Sequence, residues 1–166
     1  MNQFEISEKY ALLCDQKGSE SNYRIYQNIY LATFDLVLSC LQHMSHKNKA
    51  AMIPLGTCVS EVVSSVCMKN LITLNVKKEN ENYLTFLESL DSSTNFVLWT
   101  AENEITGEIY YNDQQCAEIH NRLNEKRIFS IQYVNQFRNL VINFENNYSF
   151  YLRHPGLFAH GVNPTE

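Results

Sequence analysis

The sequence predicts an α+β protein, in which a helical amino-terminal half packs against a mainly antiparallel β-sheet formed by the carboxyl-terminal half. Two patterns support this class. Apolar residues recur every three or four positions between residues 23 and 44, and from residue 95 short β-branched and aromatic runs alternate with polar turns. The 166 residues contain no internal repeat and no Pro/Gly/Ser linker, so we expect a single globular domain over 1–166 with an irregular tail from about 154.

The predicted helical half consists of two helices separated by a chain break. The first spans residues 23–44, where the apolar positions form a wide stripe, and a serine or an asparagine directly before it can supply the N-cap. Pro54 and Gly56 then interrupt the chain. A second helix is expected over 57–68, although its valines are stiffer than a helix prefers.

The predicted elements after the second helix are mostly strands. The segment "NLITLNV" alternates as a half-buried strand does, and "NYLTFLESL" predicts one or two helical turns. The runs "NFVLWTA" and "GEIYYN" predict a hairpin joined by "ENEITG". A capped helix follows at "DQQCAEIHNRLNEK", and three further strands are expected at "RIFSIQYV", "LVINFE" and "SFYLRH".

The last two strands are predicted to form a hairpin with a three-residue loop, Asn146–Tyr148. This register pairs Phe144 with Phe150 and Ile142 with Leu152, which places apolar side chains on one face of the sheet. The other face would then carry polar residues. We therefore expect one solvated face of the sheet and one face covered by helices.

Charge and cysteine content exclude several classes of protein. The net charge is −5 and the 13 Lys and Arg are scattered, so no basic surface for nucleic acid is expected. No apolar stretch is long enough to cross a membrane, and the first residues lack the basic and apolar regions of a signal peptide. Five widely spaced cysteines without a CxxC pair indicate reduced thiols in the cytoplasm or another reducing compartment.

One short stretch concentrates residues that could bind a metal or act as a nucleophile: His43, His46, Cys58 and Cys67. Zinc ligands usually come in close pairs, and only the two histidines are close here, so no metal site is expected. Cys58 would lie in the first turn of the second helix, where the helix dipole favours a thiolate, but no histidine can be assigned as its base. Phosphate-binding and hydrolase motifs are absent, so no catalytic residue and no cofactor is predicted.

The aromatic residues are the strongest indication of function. Several lie at strand positions whose neighbours should face inward, which would place them on the open face of the sheet. Ordinary core packing is an equally weighted alternative. In the tail, two apolar residues either fold back on the core or bind in a groove of a partner. The predicted partner-binding residues are thus Trp99, Tyr110, Tyr133, Tyr151, Leu157 and Phe158.

These observations predict a non-catalytic protein–protein interaction module of an intracellular assembly, such as an adaptor, a chaperone or an inhibitor. One alternative is an immunity or antagonist protein that blocks a toxin or a host enzyme, since negative charge would steer it to a basic cleft. Another is a small ligand-binding domain or enzyme with a cavity between helix and sheet. Homodimerisation through the long helix or an edge strand is open in each case.

Overall fold

A computed structural model of the chain describes residues 26–53, 59–103, 105–134 and 148–153. Helices and strands alternate along the chain as far as the fourth strand. In chain order the elements are α1 (Ile29–His43), β1 (Lys49–Met52), α2 (Val59–Lys69), β2 (Thr73–Val76), α3 (Tyr83–Ser89), β3 (Thr94–Thr100), α4 (Asp113–Glu125), β4 (Phe129–Val134) and β5 (Ser149–Arg153).

The strands form one sheet in the order β2-β1-β3-β4-β5, and every pairing described between these five strands is parallel. The chain therefore has an α/β fold, and the predicted α+β class with a mainly antiparallel sheet is wrong. Parallel neighbours need a crossover between their ends, and α2, α3 and α4 provide it for the strands from β1 to β4. Every residue of β3 and of β4 is buried, as is typical of parallel sheets covered on both faces.

Two layers of helices cover the sheet, because consecutive side chains of a strand point to opposite faces. On the first face, Phe96 and Leu98 of β3 belong to the same buried cluster as residues of α1 and α2. On the second face, Val97 and Trp99 belong to a cluster that includes residues of α3 and α4. The prediction that one face of the sheet is solvated is therefore wrong.

The strand order reverses its direction between β1 and β3. From β1 the chain continues through α2 to the outer strand β2, whereas from β3 it continues through α4 in the opposite direction to β4. In doubly wound sheets, such a reversal opens a crevice outside the carboxyl ends of the two strands, and ligands bind there. The carboxyl ends of β1 and β3 thus mark the place where the fold itself favours a functional site.

Most predicted elements exist, with three corrections. The helix predicted over 23–44 is described from Ile29 to His43. The segment "GEIYYN" is not a strand, since only one antiparallel bridge joins Glu102 to Ile109. The last strand pairs with β4 in parallel, while its predicted hairpin partner "LVINFE" lies outside the described residues, as does the tail from 154.

Among the parts of the chain that the structure describes, no helix is both long enough and apolar enough to cross a membrane.

Candidate functional site

Trp99 and Tyr133 do not share an open face of the sheet, contrary to the sequence-based expectation. Trp99 is 0% exposed and packs on the second face, while Tyr133 is 3% exposed and packs on the first face. The Trp99 indole also donates a 2.9 Å hydrogen bond to the Ser130 hydroxyl inside the core. Both side chains are covered because helices lie on both faces, so neither is available at the surface for a partner.

The other predicted partner-binding residues have different surroundings. Tyr110 is 40% exposed, and Tyr151 is half-buried beside α4, where its ring lies 5.0 Å from that of His120. Leu157 and Phe158 lie outside the described residues. Of the four predicted residues that the structure describes, Tyr110 is therefore the one with a large exposed surface.

Tyr110 closes a loop that follows β3, and we call residues 102–110 the edge loop. It lies at the carboxyl end of β3, at the reversal of the strand order; residue 104 lies outside the description. Ile105 is 83% exposed and Ile109 is 67% exposed, next to the 40% exposed Tyr110. The loop therefore presents three apolar side chains to solvent, at the edge where an α/β fold usually binds its ligands.

Hydrogen bonds within the backbone hold the edge loop in a compact turn. The Asn103 N–H donates to the Glu108 carbonyl at 2.8 Å, and the Gly107 N–H donates to the Asn103 carbonyl at 2.9 Å. At the base, the Tyr110 N–H donates to the Ala101 carbonyl at 2.8 Å. Gly107 has a φ of +72°, a conformation that glycine adopts without the steric cost of a Cβ.

The Asn103 side chain adds three further hydrogen bonds within the loop. Its Oδ1 accepts hydrogen bonds from the backbone N–H groups of Ile105 at 2.9 Å and Thr106 at 3.0 Å. Its Nδ2 donates to the Tyr110 hydroxyl at 2.9 Å, which orients the aromatic ring. An asparagine that satisfies turn N–H groups in this way is a common device of tight loops. The loop is consequently ordered before any partner arrives.

The edge loop carries negative charge and no positive charge. Residues 101–112 include three glutamates and neither Lys nor Arg. One oxygen of Glu102, Oε1, is buried and has no hydrogen-bond partner among the described residues. A buried carboxylate oxygen without a donor is unusual, because desolvation of that atom is then uncompensated. This edge of the sheet therefore contains one acceptor atom whose donor is not among the described residues.

Tyr111 anchors the loop to the helices of the second face. It is buried, and its ring lies 5.0 Å from that of Tyr83 and 6.2 Å from that of Trp99. Burial raises the pKa of the Tyr111 phenol to about 12, and the nearby Tyr83, Cys116 and Tyr110 add to the shift. The phenol therefore stays neutral at ordinary pH, and its packing fixes the carboxyl-terminal side of the edge loop on the core.

A second polar group lies deeper, at the contact of α4 with β4 and β5. The His120 Nδ1 is 2.8 Å from the Ser149 hydroxyl and its Nε2 is 2.9 Å from the Gln132 Oε1. Burial lowers the pKa of His120 to about 4, while the hydrogen bond to Gln132 opposes the shift. A serine, a histidine and an amide in this order resemble a nucleophile with its base, but an amide cannot stabilise an imidazolium as a carboxylate does. We therefore interpret these hydrogen bonds as structural contacts that hold α4 against β4 and β5.

The residues considered as metal ligands differ in their exposure to solvent. His43 and His46 are exposed near the end of α1, whereas Cys67 is buried in α2 and burial raises its pKa to about 11. Cys58 lies outside the described residues. Within the described segments, no three His, Cys, Asp or Glu side chains are close enough together to hold a metal ion.

Comparison with known proteins identifies similar folds and no family. No protein-family model and no curated protein matches the sequence. Among solved structures, Bna3p from Saccharomyces cerevisiae, a proposed kynurenine aminotransferase, matches with a TM-score of 0.58 and 10% identity over 77% of this chain. A decarboxylase from Sulfurospirillum multivorans matches with a TM-score of 0.54 and 18% identity over 80% of this chain. The chain spans 32% and 36% of the length of these two structures, and at such identity the likeness is one of α/β fold alone.

Proposed function

We propose that this chain binds another protein through the edge loop and acts as an adaptor or inhibitor without catalysis of its own. The observation that supports this proposal is the exposure of Ile105, Ile109 and Tyr110 on a loop whose backbone is already hydrogen-bonded. Apolar and aromatic side chains contribute most to binding when they enter a pocket of the partner. Because the loop is ordered beforehand, little conformational entropy is lost when it docks.

The charge of the loop indicates the chemistry of its partner. Glu102 and Glu108 flank the apolar tip, and the whole chain has a net charge of −5. The complementary surface is an apolar pocket with Lys or Arg at its rim. Such rim charges act mainly on the rate of association, so the on-rate should fall as ionic strength rises. A steep fall would favour an antagonist of a basic target over a general adaptor.

The activities named for the two similar structures are less compatible with the residues of this chain. Chemistry that passes through a carbanion uses an electron sink such as pyridoxal phosphate, held by a Schiff-base lysine and by an Asp or Arg at the pyridine nitrogen. Arg153 ends β5, but the segments that follow β1, β3, β4 and β5 contain no lysine. Lys77 and Lys78 follow the outermost strand, β2, and the Lys77 ammonium donates to the Lys78 carbonyl. These residues do not fit that cofactor.

The proposal is tested by removal of the apolar tip. The partner is first recovered by gentle affinity capture and then purified for titration against Ile105→Ser/Ile109→Ser. Both side chains are mostly exposed, so this variant should fold normally, and we expect its Kd to rise by roughly 10-fold or more. Met68→Ser is the matched control, since Met68 is 72% exposed on α2, far from the edge loop.

Three results would contradict protein binding by the edge loop. The Kd could stay unchanged in the Ile105→Ser/Ile109→Ser variant, or Met68→Ser could weaken binding equally. The protein could also be recovered alone from its source under conditions that keep complexes intact. Circular dichroism and the melting temperature of each variant would show whether a loss of binding reflects a loss of fold.

Ligand binding at the same edge is the second candidate, and the unpartnered Oε1 of Glu102 favours it. A small molecule with an amine or another hydrogen-bond donor would satisfy this oxygen in the crevice between β1 and β3. A screen of small amines by melting temperature tests this candidate, because ligands that bind the native state raise it. Glu102→Gln should abolish the rise, and a rise that persists in this variant would exclude Glu102 as the contact.

A further inference from the structure

A groove runs along the outer surface of the first helix layer, between α1 and α2. Its volume is about 330 Å³, large enough for one or two side chains of another molecule. One wall comes from α1 and carries two aromatic rings, and the other comes from α2 and is partly polar. The lining residues are Tyr30, Phe34, Glu61, Val62, Ser65, Val66 and Lys69.

The α1 side of this groove exposes several neighbouring apolar side chains rather than a single one. Tyr30 is 47% exposed and Phe34 is 45% exposed, and they lie one helical turn apart. Leu31, next to Tyr30 on the same helix, is 48% exposed. Large apolar side chains grouped in this way on a helix surface are typical of a contact with another protein.

The α2 side carries a charge pattern that is complementary to itself. Glu61, Ser65 and Lys69 are spaced by four residues, so they lie along one side of the helix. Ser65 is the midpoint, about 6 Å along the helix axis from each charged residue at a rise of 1.5 Å per residue. Within the described residues, neither Glu61 nor Lys69 takes part in an ion pair.

We propose that this groove is the interface with a second copy of the chain, related by a two-fold axis at Ser65. In such an antiparallel arrangement, Glu61 faces the partner's Lys69, and Lys69 faces the partner's Glu61. The small side chain of Ser65 allows the two copies of α2 to approach closely. The exposed rings of Tyr30 and Phe34 are then covered by the second copy. A two-fold axis requires a patch that complements itself, and the Glu61–Ser65–Lys69 pattern meets this requirement.

This inference goes beyond the binding of another protein by the edge loop, because it concerns a different surface. The groove lies on the first face of the sheet, between α1 and α2, whereas the edge loop lies at the carboxyl end of β3. Dimerisation would therefore leave the edge loop exposed in both copies.

Charge reversal tests the inference directly. The dimer dissociation constant of the full chain is measured by analytical ultracentrifugation for Glu61→Lys, Lys69→Glu and the double variant. Each single variant replaces two attractive contacts across the axis with two repulsive ones, which should weaken the dimer by about 10- to 30-fold. The double variant restores opposite charges at both contacts, so its dissociation constant should return towards that of the original chain.

A charge control and a cross-linking test separate this geometry from general charge effects. Glu125→Lys makes the same change of net charge on α4, on the opposite side of the sheet, and should leave the dimer unchanged. Ser65→Cys should form a disulfide between copies under mild oxidation, since cysteines at the axis have Cα atoms within about 7 Å. Ser64→Cys, one position away and exposed, should form much less.

The inference is overturned by any of three results. The chain could remain monomeric at every concentration, or a dimer could be equally stable in both single variants. Finally, the double variant could be as weak as the single variants although its circular dichroism spectrum is native.

Discussion

Leu71 and Arg127 are the two described residues other than glycine with positive φ, at 57° and 53°. Each directly follows the C-cap of a helix and takes the place where glycine is most common. After α2, the Ile72 N–H donates to the Cys67 carbonyl at 2.9 Å, and after α4 the Ile128 N–H donates to the Leu123 carbonyl at 2.9 Å. These hydrogen bonds satisfy carbonyls in the last turn of both helices. They hold Leu71 and Arg127 in the left-handed backbone conformation despite the steric cost of a Cβ there.

Leu71→Gly should therefore stabilise the protein. The leucine side chain is 90% exposed, so little packing is lost, whereas the steric cost of a left-handed Cβ is removed. After the greater flexibility of glycine in the unfolded state is included, we expect a gain of about 0.5 to 1 kcal/mol in the free energy of unfolding. Urea denaturation measures it. Leu71→Ala, which keeps the Cβ, is the control, and an equal gain in that variant would contradict the explanation.

His120 should make the stability fall below neutral pH. Its pKa is 6.5 in the unfolded chain and about 4 in the folded one, because burial disfavours the charged imidazole. Between these values the unfolded state binds more protons, so acid favours unfolding. The contribution of neutral His120 to the free energy of unfolding is fully present above pH 6.5 and is lost as the pH falls towards 4. For a pKa shift of this size, that contribution is at most about 3 kcal/mol.

The His120 contribution can be separated from other titrating groups by two measurements. NMR titration should show the imidazole of His120 neutral at pH 5, where exposed histidines are charged. Urea denaturation of His120→Gln at pH 7 and pH 5 should show a smaller loss of stability than the original chain shows. A His120 resonance that titrates near pH 6.5 would refute the argument.

At the scale of single elements, α3 is stabilised at its carboxyl end by the C-cap residue of another helix, α4. The Lys126 ammonium donates to the carbonyls of Leu87 at 2.8 Å, Glu88 at 3.0 Å and Leu90 at 2.9 Å. The last carbonyls of a helix lack the usual intrahelical donors, although the Leu87 carbonyl also accepts from the Leu90 N–H at 3.3 Å. A positive charge is in addition favourable at the negative end of the helix dipole.

Lys126→Met should destabilise the protein by about 1 kcal/mol, since charge-assisted hydrogen bonds are lost but water can replace part of them. Lys78→Met removes the same charge from an exposed position after β2 and serves as the control. The two variants are compared by thermal and urea denaturation. An equal effect of both would show that net charge, rather than the cap of α3, determines the change.

Helices were the elements that could be predicted best from the sequence. The helix at 113–125 was expected from its polar start and its apolar spacing, and a capping box between Asn112 and Gln115 begins it. The hairpin expected after β3 is reduced to one antiparallel bridge, between Glu102 and Ile109, because the backbone hydrogen bonds of the strand-like segment "GEIYYN" lie within the edge loop. Local composition does not reveal that the Asn103 side chain closes this loop.

At the scale of the whole molecule, each helix layer must open before the thiols beneath it can react. Cys40 and Cys67 belong to the core of the first face and Cys116 to that of the second. Burial also raises the pKa of Cys40 to about 12 and that of Cys67 to about 11, so their thiolates are scarce at pH 8. We therefore expect all three to resist alkylation in the native protein.

Iodoacetamide labelling followed by peptide mass spectrometry measures this protection. In the native protein at pH 8, peptides that contain the three cysteines should remain unmodified, and in urea they should be labelled fully. Labelling of Cys40 or Cys116 in the native protein would contradict the presence of a helix layer on the corresponding face. The unfolded sample serves as the control for reagent and coverage.

The fold class depends on how the strands are connected and paired, which is not visible in the pattern of any single element. The uninterrupted apolar run "FVLW" in β3 and the buried β4 are typical of a parallel sheet, but a buried antiparallel sheet produces similar runs. The direction in which two strands pair is decided by the connection between them. The helix expected at "DQQCAEIHNRLNEK" is such a connection: its presence was predicted correctly, but it was placed against an antiparallel sheet.

The sequence by itself determined the positions of most helices and strands, because apolar spacing and caps act over a few neighbouring residues. It also indicated Tyr110 as a surface residue for a partner, a role that stays a prediction. Only the tertiary structure decided that the strands are parallel, that Trp99 and Tyr133 are buried, and that Ile105 and Ile109 join Tyr110 at the carboxyl edge. Burial depends on which elements cover a side chain, and that is set by contacts between residues far apart in the chain.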